Sequence, residues 1–144
     1  MPSVTHTFTA NTTARSSEVN TDFQDLASAI RPTFVFTVTG TLTTGSNQVP
    51  TLIVPSSLTI VKAYAVVKTA PTGAALIVDI NLNGTSIWAT TQANRLQVAA
   101  AATTGTQTSF DTVSLSEGDL LTLDLDQVGS SVAGADLTVQ LKCE

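Results

Sequence analysis

Residues 120–128 read LLTLDLDQV, and apolar and polar side chains alternate along 121–126 of this stretch. Successive side chains of a β-strand point to opposite faces, so this period of two is typical of a strand with one buried face. The alternation predicts that Leu121, Leu123 and Leu125 face a core. The residues between them are predicted to face solvent.

The same period of two recurs from Thr33 to the end of the chain. Asn83-Gly84, between two of these stretches, predicts a tight hairpin because a type I′ turn needs positive φ at both central residues. About eight strands are predicted, within 33–44, 51–55, 58–68, 75–82, 87–98, 109–115, 120–128 and 136–143. This pattern predicts an all-β fold, an antiparallel β-sandwich of jelly-roll type with one short N-terminal helix.

That helix is predicted within residues 16–32, SSEVNTDFQDLASAIRP. Its apolar residues recur with a helical period and form one stripe: Val19, Phe23, Leu26 and Ile30. A helix of about four turns is marginal alone in water, so the stripe must pack against something. We therefore expect an N-terminal arm and helix over 1–32 and a β-sandwich domain over 33–144.

The charge pattern excludes several classes of partner. The formal net charge is -5, and only six Lys and Arg residues are scattered along the 144-residue chain. Binding to a nucleic-acid backbone or to an anionic membrane surface needs clustered basic residues. No apolar run approaches the ~20 residues of a membrane-spanning helix. The first residues lack the features of a secretion signal, which predicts synthesis in the cytosol.

Residues able to support catalysis or to bind a metal or cofactor are scarce, so the sequence predicts a protein that is not an enzyme and has no cofactor or metal site. The chain has one His and one Cys, His6 and Cys143, too few for a zinc site or a nucleophile–base pair. Cys143 is predicted to be a small apolar residue of the last strand. Trp88 could stack on a sugar or a base, but a core position is favoured.

Asp124 and Asp126 are the strongest polar candidates. They lie on one strand face about 7 Å apart, and Asp79 or Asp136 could join them across the sheet. A Ca²⁺ site or a glycosidase pair is one interpretation. The favoured interpretation is a solvated strand face whose charges discourage edge pairing.

Two stretches resemble virion proteins of tailed bacteriophages. Residues 11–30, NTTARSSEVNTDFQDLASAI, are similar to the N-terminal segment of phage tail-fibre proteins, with matches at Val19, Asn20, Phe23 and Leu26. The segments IVDINLNGTSIW, EGDLLTLDLDQVG and GADLTVQL resemble a β-sandwich module of phage fibres and decoration proteins. The resemblance covers roughly residues 11–141, and its motifs are structural rather than catalytic.

Such modules are typically homotrimers, and the resemblance implies the same here. The strand at 58–68 is apolar on both faces, so we expect a neighbouring subunit to cover one of them. The residues predicted for this trimer interface are Val61, Ala63, Ala65 and Val67. The residues predicted to anchor the chain to a capsid or another virion partner are Phe8, Val19, Phe23, Leu26 and Ile30.

The resemblance favours a capsid decoration, or cement, protein on the outer surface of the virion, where it would bind the major capsid protein or another virion protein and stabilise the shell. The alternative is a short tail- or head-fibre protein that binds a host receptor. Its recognition tips would then be the loops predicted at 99–108 and 129–135. An independent carbohydrate-binding module is a third interpretation.

Overall fold

The computed structural model describes residues 16–28 and 31–144. Its one α-helix, α1, spans Ser16–Ser28. The strands are β1 Thr33–Thr41, β2 Leu52–Ile53, β3 Leu58–Thr69, β4 Leu76–Leu82, β5 Thr85–Ser86, β6 Leu96–Val98, β7 Thr104–Gln107, β8 Ser114–Leu115, β9 Leu120–Gln127 and β10 Ala135–Cys143. A single 3₁₀ turn spans Gln92–Asn94. The chain divides into two units, one of residues 1–32 with Glu144 and one of residues 33–143.

The strands form two antiparallel sheets that pack against each other, which confirms the predicted β-sandwich. The first sheet, sheet A, has the order β1-β10-β3-β7, and β8 also pairs with β3. The second, sheet B, has the order β2-β9-β4, and β5 and β6 pair with the two ends of β4. The chain alternates between the sheets from β1 to β4. From β6 in sheet B it passes to sheet A for β7 and β8, to sheet B for β9 and back to sheet A for β10, so it crosses repeatedly between the sheets as in a jelly roll.

The core lies between the two sheets and is built from the inward residues of both. Leu121, Leu123 and Leu125 are buried as the alternation predicts, and Leu137, Val139 and Leu141 line the facing side. Each fully buried aliphatic side chain of this kind contributes roughly 1.5–3 kcal/mol to folding. The sandwich therefore has a complete apolar core within one chain.

The hairpin predicted at Asn83-Gly84 is present. The φ angles of the two residues are 51° and 83°, which suit a type I′ turn, and this turn connects β4 to β5.

The strand predicted at 109–115 is wrong for most of its length, because only Ser114–Leu115 pairs, with β3. The amides of Asp111 and Thr112 instead donate to the carbonyl of Ile87 and make this segment a loop.

Gly105 lies where an edge of sheet A passes close to an edge of sheet B. A Cβ atom at this position of β7 would lie 1.8 Å from the carbonyl oxygen of Gln97 in β6. Only glycine permits two backbones to come this close. Glycine at this position therefore lets β6 and β7 come together and close one side of the sandwich.

Candidate contact surfaces

The structure corrects the trimer interface that the sequence predicts on β3. Ala63, Ala65 and Val67 are buried in the core of their own chain, so these side chains are not free to contact a neighbouring subunit. Val61 is half-buried and lies at a bulge, where Ile60 pairs with Cys143 and Lys62 pairs with Lys142. Val61 is thus the extra residue, and the strand presents Lys62, Tyr64 and Val66 outward instead.

These outward residues belong to a surface that we call the lysine face: Val35, Lys62, Tyr64, Val66 and Lys142. The register places Gln140 of β10 between Val35 and Tyr64, and it places Lys62 directly opposite Lys142. Val35 and Val66 are each about half exposed. The face therefore combines exposed aliphatic groups with two cations on adjacent strands.

The two lysines of the lysine face have no carboxylate partner among residues 16–28 and 31–144. The Lys62 ammonium lies over the ring of Tyr64, 4.7 Å from its centroid, a cation–π contact. The one carboxylate on β10, that of Asp136, accepts the amide hydrogen of Gly40 at 2.7 Å. The face is therefore positively charged.

A second surface, at the start of β9, has the opposite charge. We call it the acidic corner: Ile53, Glu117, Asp119 and Leu120. Ile53 and Leu120 are directly paired across β2 and β9 and are 65% and 46% exposed. Because they are paired neighbours, they form one apolar spot beside two carboxylates.

Backbone hydrogen bonds fix the shape of the acidic corner. The Val54 amide donates to the Asp119 carbonyl at 2.8 Å, and the Gly118 amide donates to the Val54 carbonyl at 2.9 Å. The Asp119 carboxylate accepts the Ser116 amide hydrogen at 2.7 Å and the Asn83 side-chain amide at 2.8 Å. These two donors lower the pKa of Asp119 below its ordinary value, the Ser116 amide most strongly, so the group is a stable anion.

The helix α1 exposes two of the four residues of the apolar stripe predicted for it. Phe23 and Leu26 are 67% and 63% exposed, and Val19 is half-buried. Phe8 and Ile30, the other two predicted anchor residues, lie outside the described residues. Two large apolar side chains one turn apart on a helix are a common arrangement for binding in a groove of another protein.

Asp79, Asp124 and Asp126 lie on sheet B, whereas Asp136, the other carboxylate predicted to join them, lies on β10 of sheet A. Asp79 of β4 is directly opposite Asp124 of β9. The Asp124 carboxylate accepts hydrogen bonds from the Asn47 amide at 2.7 Å and the Asn81 side chain at 2.8 Å. Asp126 pairs with Arg95. Each carboxylate therefore has a partner within the chain.

Asp79 is the one nearly buried acid among the described residues, at 7% exposure. Its carboxylate accepts a hydrogen bond from the Ser86 hydroxyl at 2.7 Å. Burial raises the pKa of Asp79 above its ordinary value, and the nearby Asp126 adds to this effect. No group of three or more potential metal ligands occurs in residues 16–28 and 31–144. The geometry thus favours a structural network over a Ca²⁺ site.

The two loops predicted as recognition tips converge at one end of the sandwich. The Ala101 amide donates to the Pro71 carbonyl at 2.7 Å, and the Thr72 amide donates to the Val132 carbonyl at 2.9 Å. The segments 99–103 and 129–134 therefore meet around 70–73. Residues 104–107, predicted as part of a loop, form β7. This end lies opposite Thr33, because Thr33 pairs with Lys142 whereas Thr41 pairs with Ala135.

Comparisons with known proteins give no match. No family model matches the chain, and neither the curated proteins nor the solved structures contain a significant match to it. Within the two described segments, no helix has the length and apolar composition needed to cross a bilayer.

Two side chains have the core positions predicted for them. Trp88 is fully buried, and its indole N–H donates to the Ser109 carbonyl at 2.7 Å. Cys143 is also fully buried, and burial raises the pKa of its thiol to about 11. Neither side chain is available to a ligand.

The acidic corner was not predicted from the sequence, although a signal exists. Leu120 and Leu121 are adjacent, and two neighbouring residues of a strand face opposite sides. One leucine of the pair must therefore point outward.

Proposed function

We propose that this chain is a structural protein of a tailed-bacteriophage virion, a decoration or cement protein that associates as a homotrimer and binds the outer capsid surface. One observation supports this role above the others: α1 exposes Phe23 and Leu26 although the sandwich completes its own core without them. The apolar stripe is therefore available to another protein. The resemblance of residues 11–30 to phage virion segments agrees with this role.

The proposed mechanism is binding to the assembled shell in preference to its free subunits. Each N-terminal segment contacts the major capsid protein or another virion protein, and the stripe of α1 buries its apolar surface there. A ligand that binds only the assembled state stabilises that state by mass action. The net charge of -5 is consistent with a position on the outer surface, away from packaged DNA.

The test is co-sedimentation of the full chain with capsids assembled without it. We expect Phe23→Ser combined with Leu26→Ser to weaken attachment by at least about tenfold, equal to about 1.4 kcal/mol. The matched control is Gln24→Ser, which changes an exposed polar residue of the same helix. Equal attachment of wild type and the double variant would contradict the role of Phe23 and Leu26 in anchoring the chain to the capsid. Failure of wild type to attach would reject the capsid role.

A second candidate function is a short tail- or head-fibre protein that binds a host receptor. The observation that favours it is the convergence of 99–103 and 129–134 at the end opposite Thr33. In that role Val132, exposed at this end, would contact the receptor. Copy number separates the two roles: hundreds of copies per virion favour decoration, and a few to a few tens favour a fibre. Reduced adsorption to host cells by Val132→Ser would support the fibre role.

A further inference from the structure

Two surfaces of residues 33–143, the lysine face and the acidic corner, carry charges of opposite sign. Lys62, Lys68 and Lys142, three of the six Lys and Arg residues, project from the outward side of sheet A. Glu117 and Asp119 lie on the turn before β9, and the exposed Ile53–Leu120 pair is beside them. Each surface thus offers apolar groups together with charges of one sign.

Each surface opposes contact with its own copy. A lysine face packed on a second lysine face would bring four ammonium groups together. An acidic corner packed on itself would do the same with carboxylates. Like charges placed together at an interface cost several kcal/mol and exclude that pairing. Two-fold contact through either surface alone is therefore disfavoured.

We infer that copies of this chain associate head to tail, with the lysine face of one copy packed against the acidic corner of the next. In this contact Val35 and Val66 of one copy bury their exposed apolar area against Ile53 and Leu120 of the next. Lys62 and Lys142 gain the carboxylates of Glu117 and Asp119 of the neighbour.

The contact is heterologous, because it joins two different surfaces of identical chains. Such a contact closes into a ring when its rotation allows and otherwise continues as an open chain. This inference deepens the self-association within the proposed function and rests on that part of it. The lysine face and the acidic corner thus replace the β3 residues that the sequence predicts for the interface between copies.

Sedimentation velocity on the isolated full chain is the first measurement. We expect concentration-dependent association that weakens as salt increases, since ions screen charge pairs at a partly exposed contact. A wild type that remains monomeric at all concentrations at low salt would overturn the inference.

Complementary variants supply the decisive measurement. The first, Lys62→Glu with Lys142→Glu, reverses the lysine face and keeps the acidic corner. The second, Glu117→Lys with Leu120→Ser, alters the acidic corner and keeps the lysine face. Each alone is expected to associate at least about tenfold more weakly than wild type, equal to about 1.4 kcal/mol. Their equimolar mixture is expected to form at least the 1:1 pair, because the intact lysine face of the second variant meets the intact acidic corner of the first.

A matched control distinguishes loss of the contact from loss of folding. Val132→Ser removes an exposed apolar side chain at the loop end, outside both surfaces. It is expected to associate as wild type does, and thermal unfolding checks that every variant folds. Association that persists in both double variants would overturn the inference, as would a mixture without the 1:1 pair. Capsid attachment is measured separately, so its failure rejects the capsid role and leaves this result standing.

Discussion

Lys62 on β3 and Lys142 on β10 lie directly opposite each other, so two ammonium groups share one face of sheet A. Like charges at directly opposed positions destabilise a sheet. This pairing is unfavourable for the isolated chain. Carboxylates supplied by a neighbouring chain would offset the repulsion between the two ammonium groups.

Replacement of one of these lysines should stabilise the isolated sandwich. We expect Lys142→Gln to raise the free energy of unfolding by about 0.5 kcal/mol at low ionic strength, because the repulsion is removed. The gain should disappear at ~1 M salt, where the screening length is ~3 Å. Urea denaturation at protein concentrations that keep the chain monomeric measures both values. A Lys142→Gln variant less stable than wild type at low salt would contradict the claim that Lys62 and Lys142 repel each other.

Gly105 should tolerate no side chain. We expect Gly105→Ala to destabilise the sandwich by about 2–3 kcal/mol, because its Cβ would lie 1.8 Å from the Gln97 carbonyl oxygen and the backbones would have to separate. Thermal unfolding measures the effect. Thr106→Ala, at the exposed next position, is the control and should change stability by less than about 0.5 kcal/mol. An unchanged midpoint in Gly105→Ala would show that β6 and β7 are farther apart.

Asp79 should make the sandwich less stable at neutral pH than at the pH where it is protonated. Its pKa is raised in the folded state, chiefly by burial, so ionisation favours the unfolded chain once the pH exceeds 3.8. Asp79→Asn should therefore be more stable than wild type at pH 7, and the difference should vanish below about pH 3.8. Denaturant titrations from pH 3 to pH 7 measure it. The Asp79 carboxyl faces Asp126, Asp124 and Arg95. Wild type and Asp79→Asn are compared at the same pH, so the contributions of these three residues are held constant.

The result that would contradict this prediction is an Asp79→Asn variant less stable than wild type at pH 7. It would mean that the charged carboxylate contributes more through the Ser86 hydrogen bond than it loses by burial. Ser86→Ala is the matched variant, because it removes the hydroxyl donor and leaves the carboxylate buried. We expect Ser86→Ala to be less stable than wild type at pH 7.

Cys143 should be almost unreactive in the folded chain. With the pKa of its thiol at about 11, roughly one molecule in a thousand is a thiolate at pH 8, and the thiolate is the reactive form. Ellman's reagent should label it slowly in buffer and rapidly in guanidinium chloride. The chain has one cysteine, so the signal is unambiguous. Equal labelling rates in the two conditions would contradict the burial.

The fold was predictable where one face of a strand is clearly apolar. In β9 the leucines alternate with polar residues, so the buried face is evident, and Asn83-Gly84 identifies a hairpin by itself. In β3 both faces contain apolar residues, and the pattern alone does not say which one is buried. The bulge at Val61 also shifts the alternation, so Ile60 and Ala63 both point inward. A bulge depends on the partner strand, which no local pattern contains.

The candidate surfaces were predictable only in part, for the same reason. The stripe of α1 follows from a local period of 3.6 residues. The lysine face joins side chains of three strands that are distant in sequence, and their register decides that Lys62 meets Lys142. The acidic corner likewise depends on the pairing of Ile53 with Leu120. Sequence order does not reveal such neighbours.

The separation between Thr33 and the converging loops has a practical consequence for protein engineering. From Lys62, which is in line with Thr33, β3 continues for seven residues to Thr69 beside these loops, a span of roughly 25 Å. A foreign epitope grafted into 99–103 would thus be displayed at the end of the sandwich opposite Thr33. The chain could serve as a compact scaffold for presenting peptides while its N-terminal segment stays unaltered.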